Sequence, residues 1–160
     1  GKTVGAIQPT LLTHPDGTIQ ALCRNQNGNG QVLSTTSKDQ GKTWTELVPI
    51  VLPNPNSGID GVTLKSGQQL LVYNHTHRGQ GSPRGREMIN VAVSADGSQW
   101  NAALTLDKEA KAEFSYPAVI QTADGLVHIT YTWKRQRLVH AVVDPAKLET
   151  TPITGNTWPK

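Results

Sequence analysis

The sequence predicts an all-β protein made of a repeated four-stranded antiparallel unit. Three observations carry that prediction. Tight-turn signals recur at Asp16-Gly17, Ser66-Gly67 and Asp124-Gly125, each between two short apolar runs. A longer turn of fixed chemistry, Ser37-x-Asp39-x-Gly41-x-Thr43-Trp44, returns in shortened form as Ser94-x-Asp96-Gly97-x-x-Trp100. The best helical candidate, residues 107–112, is no longer than a turn.

The elements follow in chain order. Gln8-Pro9-Thr10-Leu11-Leu12 opens a first strand, Gly17 closes a hairpin, and residues 18–25 alternate as a second strand. Asp-Gly and Ser-Gly pairs favour hairpins because glycine reaches positive φ without a Cβ clash. The same succession runs from Asp60 through Gly67 to His75, and from Tyr116 through Gly125 to Trp133. Third strands are predicted at residues 31–36, 88–93 and 137–143, and fourth strands at 45–51 and 102–106. The third unit takes its fourth strand from residues 151–158 or borrows one from elsewhere.

In the longer turn, serine and aspartate side chains bond nearby backbone N–H groups, and glycine takes the left-handed position. The tryptophan covers the turn as an apolar lid with a polar N–H. Ser37, Asp39, Gly41, Trp44, Ser94, Asp96, Gly97 and Trp100 are therefore read as structural, and Trp44 is expected to behave as a buried aromatic. The third unit has Asp144-Pro145 at this place and is degenerate or terminal.

The turn glycines Gly17, Gly67 and Gly125 recur at about the spacing of one propeller blade. The 160 residues read as one domain of three blades, about 5–55, 56–112 and 113–160. Closed propellers have four or more blades, and three leave sheet edges open. The chain is thus expected to be half of a six-bladed ring, closed by a second copy of itself or by the rest of a longer chain. Gly1-Lys2-Thr3 reads as the start of a trimmed or internal piece.

Composition bounds the function. A net charge of +3 does not point to nucleic acid, and no stretch is long and apolar enough to span a bilayer. Cys23 lies in an apolar strand and reads as an inert buried thiol, so it says little about compartment; a secreted or periplasmic setting is the expectation. Basic residues crowd two loops, Arg78, Arg84 and Arg86 in one and Lys134, Arg135 and Arg137 in the other. Such clusters suit a small anion better than a long phosphate backbone.

Strand polarity places the candidate site. Residues just before each first strand (Gln8, Asp60, Tyr116) and at the end of each second strand (Arg24, Asn74 and His75, Trp133) are expected around one mouth of the ring. The serine–aspartate turns then fall on the opposite face. His77 continues the His75 loop; as a metal pair these two lack a third ligand, and neither metal nor cofactor is expected. Asn74-His75-Thr76 also matches a glycosylation sequon.

The two turns resemble the Asp-box of sialidases and related repeat propellers. The stretches 53–58, 70–75 and Phe114-Ser115-Tyr116-Pro117-Ala118-Val119-Ile120 are similar to the C-terminal half of bacterial sialidase-like domains. The resemblance implies a carbohydrate ligand, an arginine clamp for a sugar carboxylate, an aspartate acid/base and a tyrosine nucleophile helped by a glutamate. Carried over, Arg24 is a clamp member, Asp60 the acid/base, Tyr116 the nucleophile and Glu113 its helper. Gln8, Asn74, His75, His77 and Trp133 complete the expected sugar contacts. The family's Tyr-Ser pair falls on Phe114-Ser115, and Ile7-Gln8-Pro9 lacks the family's arginine. Four readings stay open: a glycoside hydrolase for an acidic or deoxy sugar, a lyase for uronate-containing glycans, a carbohydrate-binding propeller without catalysis, and a structural half-propeller.

Overall fold

The computed structural model describes residues 5–26, 30–79, 81–155 and 157–159. Gly1-Lys2-Thr3 lies outside them. Strands β1 (Ala6–Thr13), β2 (Ile19–Asn25), β3 (Gln31–Ser37) and β4 (Val48–Pro53) form the first sheet, in that order. The second sheet is β5 (Asp60–Thr63), β6 (Gln69–Tyr73), β7 (Met88–Ser94) and β8 (Asn101–Lys108). The third is β9 (Phe114–Gln121), β10 (Val127–Trp133) and β11 (Arg137–Val143). All pairings within the sheets are antiparallel, and the inner strands β1, β5 and β9 lie side by side. This is the blade arrangement of a β-propeller.

Burial follows each sheet's place in the row. The second sheet is sandwiched, and every residue of β6 and β7 is buried. A strand covered on both faces reads as a continuous apolar run, as Leu70-Leu71-Val72-Tyr73 does. Leu71 and Tyr73 pack with Leu12, Leu22 and Trp100 towards the first sheet. Leu70 and Val72 pack with Phe114, Val119 and Ile129 towards the third. The outer face of the third sheet stays open at Ile120, Leu138 and Val142, and Leu11 is exposed on the first.

The last strand departs from expectation. Among the described residues, none from Thr151 onward completes the third sheet. Strand β12 (Thr151–Pro152) pairs instead with β8, Thr151 opposite Ala102 and Pro152 opposite Asn101. Asp144 caps a single 3-10 turn, Pro145–Lys147, by accepting from the Ala146 N–H, and this directs the chain away from β11. Ile153 then buries against the cluster between the first two sheets.

Both serine–aspartate turns close through their own side chains. Asp39 Oδ1 accepts from the Ser37 hydroxyl and the Thr43 N–H, and Ser37 Oγ accepts from the Gly41 N–H. Asp96 Oδ1 accepts from the Ser98 and Gln99 N–H groups, and Ser94 Oγ from the Gly97 N–H. These bonds, that from the Thr43 hydroxyl first, lower Asp39 to a pKa of about 2. The tryptophans differ. Trp100 is 2% exposed inside the first blade interface, whereas Trp44 is 41% exposed. Trp44 lies over Gly41 and donates its indole N–H to the Gly41 carbonyl, 3.0 Å away, on the surface rather than in a core.

Polar side chains tie the blades together. Asp60 accepts from the Thr10 hydroxyl of the first sheet at 2.9 Å and from the Val119 N–H of the third at 2.8 Å. Buried Gln20 donates to Ser34 and to the carbonyl of Gly97 in the second turn. Buried Cys23 has its thiol pKa raised by desolvation, as an inert thiol requires.

Candidate functional site at the mouth

The mouth is built by one backbone device used twice. Gln8-Pro9 in β1 and Tyr116-Pro117 in β9 each interrupt the pairing register, and Gln8 and Tyr116 sit at φ of 50° and 53°. Proline fixes its own φ and disfavours helix at the residue before it; here that residue swings into the left-handed region. Both positions lie nine residues before their turn glycines. The equivalent residue of the second blade is Gly58, whose missing side chain leaves space beside the Tyr116 ring and Gln8 Oε1.

That alignment corrects the placement of Asp60. It is equivalent to Thr10 and Ala118, one strand pair further in, and both its oxygens serve neighbouring blades. Asp60 thus links the first and third sheets.

Arg24 enters from the end of β2. Its Nε donates to Asn56 Oδ1 at 2.7 Å and its NH1 to Gln8 Oε1 at 2.8 Å. Neutral amides orient the guanidinium, and among the described residues no carboxylate forms an ion pair with it. Arg86 arrives from the β6–β7 loop, its Cζ 5.1 Å from the Tyr116 ring centroid. Arg135 arrives from the β10–β11 turn, where Lys134 and Arg135 both have positive φ. Such a turn suits a tight hairpin, but left-handed backbone costs a non-glycine residue about 1–2 kcal/mol. Gln8, Asn56, Tyr116, Lys134 and Arg135 all hold that conformation around this mouth, a concentration of strain typical of functional sites.

Glu113 organises the arginines. Arg86 NH1 reaches its Oε1 at 2.7 Å, and Arg135 Nε its Oε2 at 2.9 Å. Burial raises the pKa of Glu113, but the bonds from Arg135 and Arg86 outweigh it and hold the carboxyl below its ordinary range. Its recorded contacts run to Arg86, Arg135 and Ser115. Tyr116 is 53% exposed. Its phenol is lowered by a hydrogen bond with Arg86, then by the charges of Arg86 and Arg24.

Four other sequence-predicted contacts have partners or places of their own. Asn74 is 0% exposed and donates to the carbonyls of Met88 and Phe114, joining the second and third blades. It is closed to a sugar and to a glycosylating enzyme. His75 is buried, with Nδ1 2.5 Å from the Tyr73 hydroxyl and its ring against Trp158. It and exposed His77 line a different cleft of ≈ 790 Å³ beside the C-terminal strand. Trp133 is covered by its own neighbours: Lys134 Nζ and Arg137 Cζ lie 4.2 and 4.1 Å from its ring centroid. Cation–π contacts of that kind compete with a stacked sugar.

Asn56 was not named by sequence reasoning, and Arg86 and Arg135 entered it only as members of basic clusters. The two basic loop clusters were the available signal, since each sends one arginine to the mouth. Among the described residues, no group of three His, Cys, Asp or Glu side chains is placed to hold a metal ion, and no helix is long and apolar enough to cross a membrane.

Blades joined through inner strands, with a polar, strained mouth, define a sialidase-like propeller. The chain belongs to the BNR repeat-like domain family, which matches residues 2–129. No curated protein matches it in sequence. Among solved structures it is similar to the intramolecular trans-sialidase of Ruminococcus gnavus, at 18% identity and a TM-score of 0.70, covering 94% of this chain and 34% of that one. It is also similar to an α-L-arabinanase of Penicillium chrysogenum (19% identity, TM-score 0.69, 96% of this chain and 51% of that one). An α-L-arabinofuranosidase of Fusarium graminearum matches at 19% identity and a TM-score of 0.67, over 95% and 50% of the two chains. The chain therefore spans between a third and a half of these proteins. At such identities the likeness establishes the fold.

Proposed function

We propose that the mouth binds a carboxylate-bearing sugar and belongs to a sialidase-like glycoside hydrolase. The observation that carries this is the pair Arg24 and Arg86 beside Tyr116, with Arg135 joined to Arg86 through the Glu113 carboxylate. Planar guanidinium groups suit bidentate contact with a carboxylate. Tyr116, exposed and lowered by arginines, suits attack on an anomeric carbon beside the bound carboxylate. Its oxygen bonds that carbon as the glycosidic C–O bond breaks with its electron pair on the leaving oxygen, which takes a proton from water. A second water then displaces the tyrosine to release the sugar. Asp60 is left out of the chemistry, because both its oxygens are engaged between blades.

A second reading has its own support. Glu113 bonds arginines, and Tyr116 owes its lowered phenol to positive charge. A phenolate made available without a carboxylate base suits a lyase, where it takes the proton α to a uronate carboxylate neutralised by arginine, and the C4–O bond then breaks with its electron pair on the leaving oxygen.

Calorimetric titration with D-glucuronate, N-acetylneuraminate and neutral L-arabinose tests the common part. Binding of the acids alone, weakened by salt and by Arg24→Ala, supports the anion clamp. Equal binding of arabinose overturns it. Incubation with uronate glycans separates the reactions, since a lyase yields an ultraviolet-absorbing unsaturated product and a hydrolase yields a reducing sugar.

A further inference from the structure

The loop that brings Arg86 to the mouth is braced by one carboxylate outside the site. Glu87 is buried at the foot of β7. Its Oε2 accepts from the Ser82 hydroxyl at 2.7 Å and the Arg84 N–H at 3.1 Å, within the β6–β7 loop. Its Oε1 accepts from the Lys111 N–H at 2.9 Å, on the segment between β8 and β9. The backbone continues the link: the Glu87 carbonyl accepts from the Glu109 N–H, and the Arg86 carbonyl from the Phe114 N–H. One side chain thus joins the two segments that carry Arg86 and Glu113, the ion pair beside Tyr116.

A buried carboxylate that only closed its own loop would need no bond to the second segment. The Lys111 bond separates the two cases, because it fixes where one segment stands relative to the other. Lys111 itself sits at a φ of 64°, so its N–H is held in a backbone conformation a lysine does not favour.

We propose that Glu87 is the positioning residue of the mouth, holding the Arg86 guanidinium against Glu113 and Tyr116 without touching the ligand. Only the ligand arm of the following test rests on the anion reading above.

The experiment uses the Tyr116 phenol as an internal probe. Of the three tyrosines, Tyr73 and Tyr131 are both pushed up by burial. The earliest phenolate absorbance step on raising pH therefore belongs to Tyr116, and Tyr116→Phe must remove it. Glu87→Gln keeps the size but presents an amide NH2 towards N–H donors. The expected result is a native near-ultraviolet circular dichroism spectrum, a Tyr116 step moved up towards the ordinary phenol value, and D-glucuronate affinity weakened about tenfold, the scale of one displaced hydrogen bond to a charged group. A folded Glu87→Gln protein with the wild-type step and affinity overturns the proposal. If that variant does not fold, Ser82→Ala removes a single bond and must give a smaller shift in the same direction; no shift overturns the proposal equally. If the wild type binds no glucuronate while Glu87→Gln still moves the Tyr116 step, the positioning role stands and the anion reading falls.

Discussion

Truncating the two turn tryptophans to alanine separates their roles. Trp100 is 2% exposed in the cluster between the first and second blades, among Leu12, Leu71 and Ala102. Removing a buried aromatic loses its transfer free energy and leaves a cavity, about 3–5 kcal/mol in total. Two sheets clamp this cavity, so it has little room to collapse. Trp44 is 41% exposed and makes one side-chain hydrogen bond, to the Gly41 carbonyl. Its loss uncovers that carbonyl to water and forfeits only part of an aromatic's burial, roughly 1–2 kcal/mol. At about 2–4 °C per kcal/mol for a domain of this size, Trp100→Ala should melt well below Trp44→Ala. Urea denaturation followed by far-ultraviolet circular dichroism gives the same comparison at constant temperature. Equal losses, or a larger loss for Trp44→Ala, would show that Trp44 is covered in solution and that the turn face is not free.

Further predictions follow from the same geometry. Asn74→Ala leaves the Met88 and Phe114 carbonyls without their buried donor, at a cost of about 1–3 kcal/mol; a melting temperature equal to wild type would contradict its role as a staple. Asp39 has a folded pKa of about 2, below the ordinary aspartate value of 3.8. The folded state therefore binds fewer protons than the unfolded one between those values, and the stabilisation is present above about pH 4 and lost as pH falls through about 2. Asp39→Asn should flatten that limb of melting temperature against pH; an unchanged limb would assign it to other carboxylates. Gly97→Ala would set a Cβ 2.1 Å from Gln20 Oε1 at a φ of 73°, so it should destabilise the first blade interface, as protection of the β2 amides in hydrogen exchange will report. The open faces at Leu11, Ile120, Leu138 and Val142 are proposed to be covered by further blades. Light scattering at twice the chain mass supports closure by a second copy, and a monomer that does not bind a hydrophobic dye contradicts any such cover.

The strands and hairpins were legible because short periods carry them. Gly17, Gly67 and Gly125 mark the turns, and alternation marks the faces wherever one side is wet, as in β10. Strand polarity also placed Gln8, Arg24 and Tyr116 correctly at one end. The error at Asp60 came from the bulges: counting strands does not reveal that Gln8 and Tyr116 are looped out, which shifts their equivalent to Gly58. Asn74 and His75 carry polar chemistry just past the end of β6, a strand buried on both faces, so sequence cannot distinguish a ligand contact from an inter-blade bond. Arg86 and Arg135 lie in loops without periodicity, and only the folded chain shows that Glu113 gathers them. The two tryptophans follow similar turns, yet only the second sits where a neighbouring blade covers it.

Three arginines are proposed to share one anionic ligand at the mouth. Arginine Nε–H resonances in a 15N-labelled protein report on it directly. On titration with D-glucuronate or N-acetylneuraminate, the signals of Arg24, Arg86 and Arg135 should move together with one dissociation constant, while those of Arg78 and Arg137 stay in place. Movement of Arg78 or Arg137 alone, or no movement under saturating acid sugar, would contradict the account.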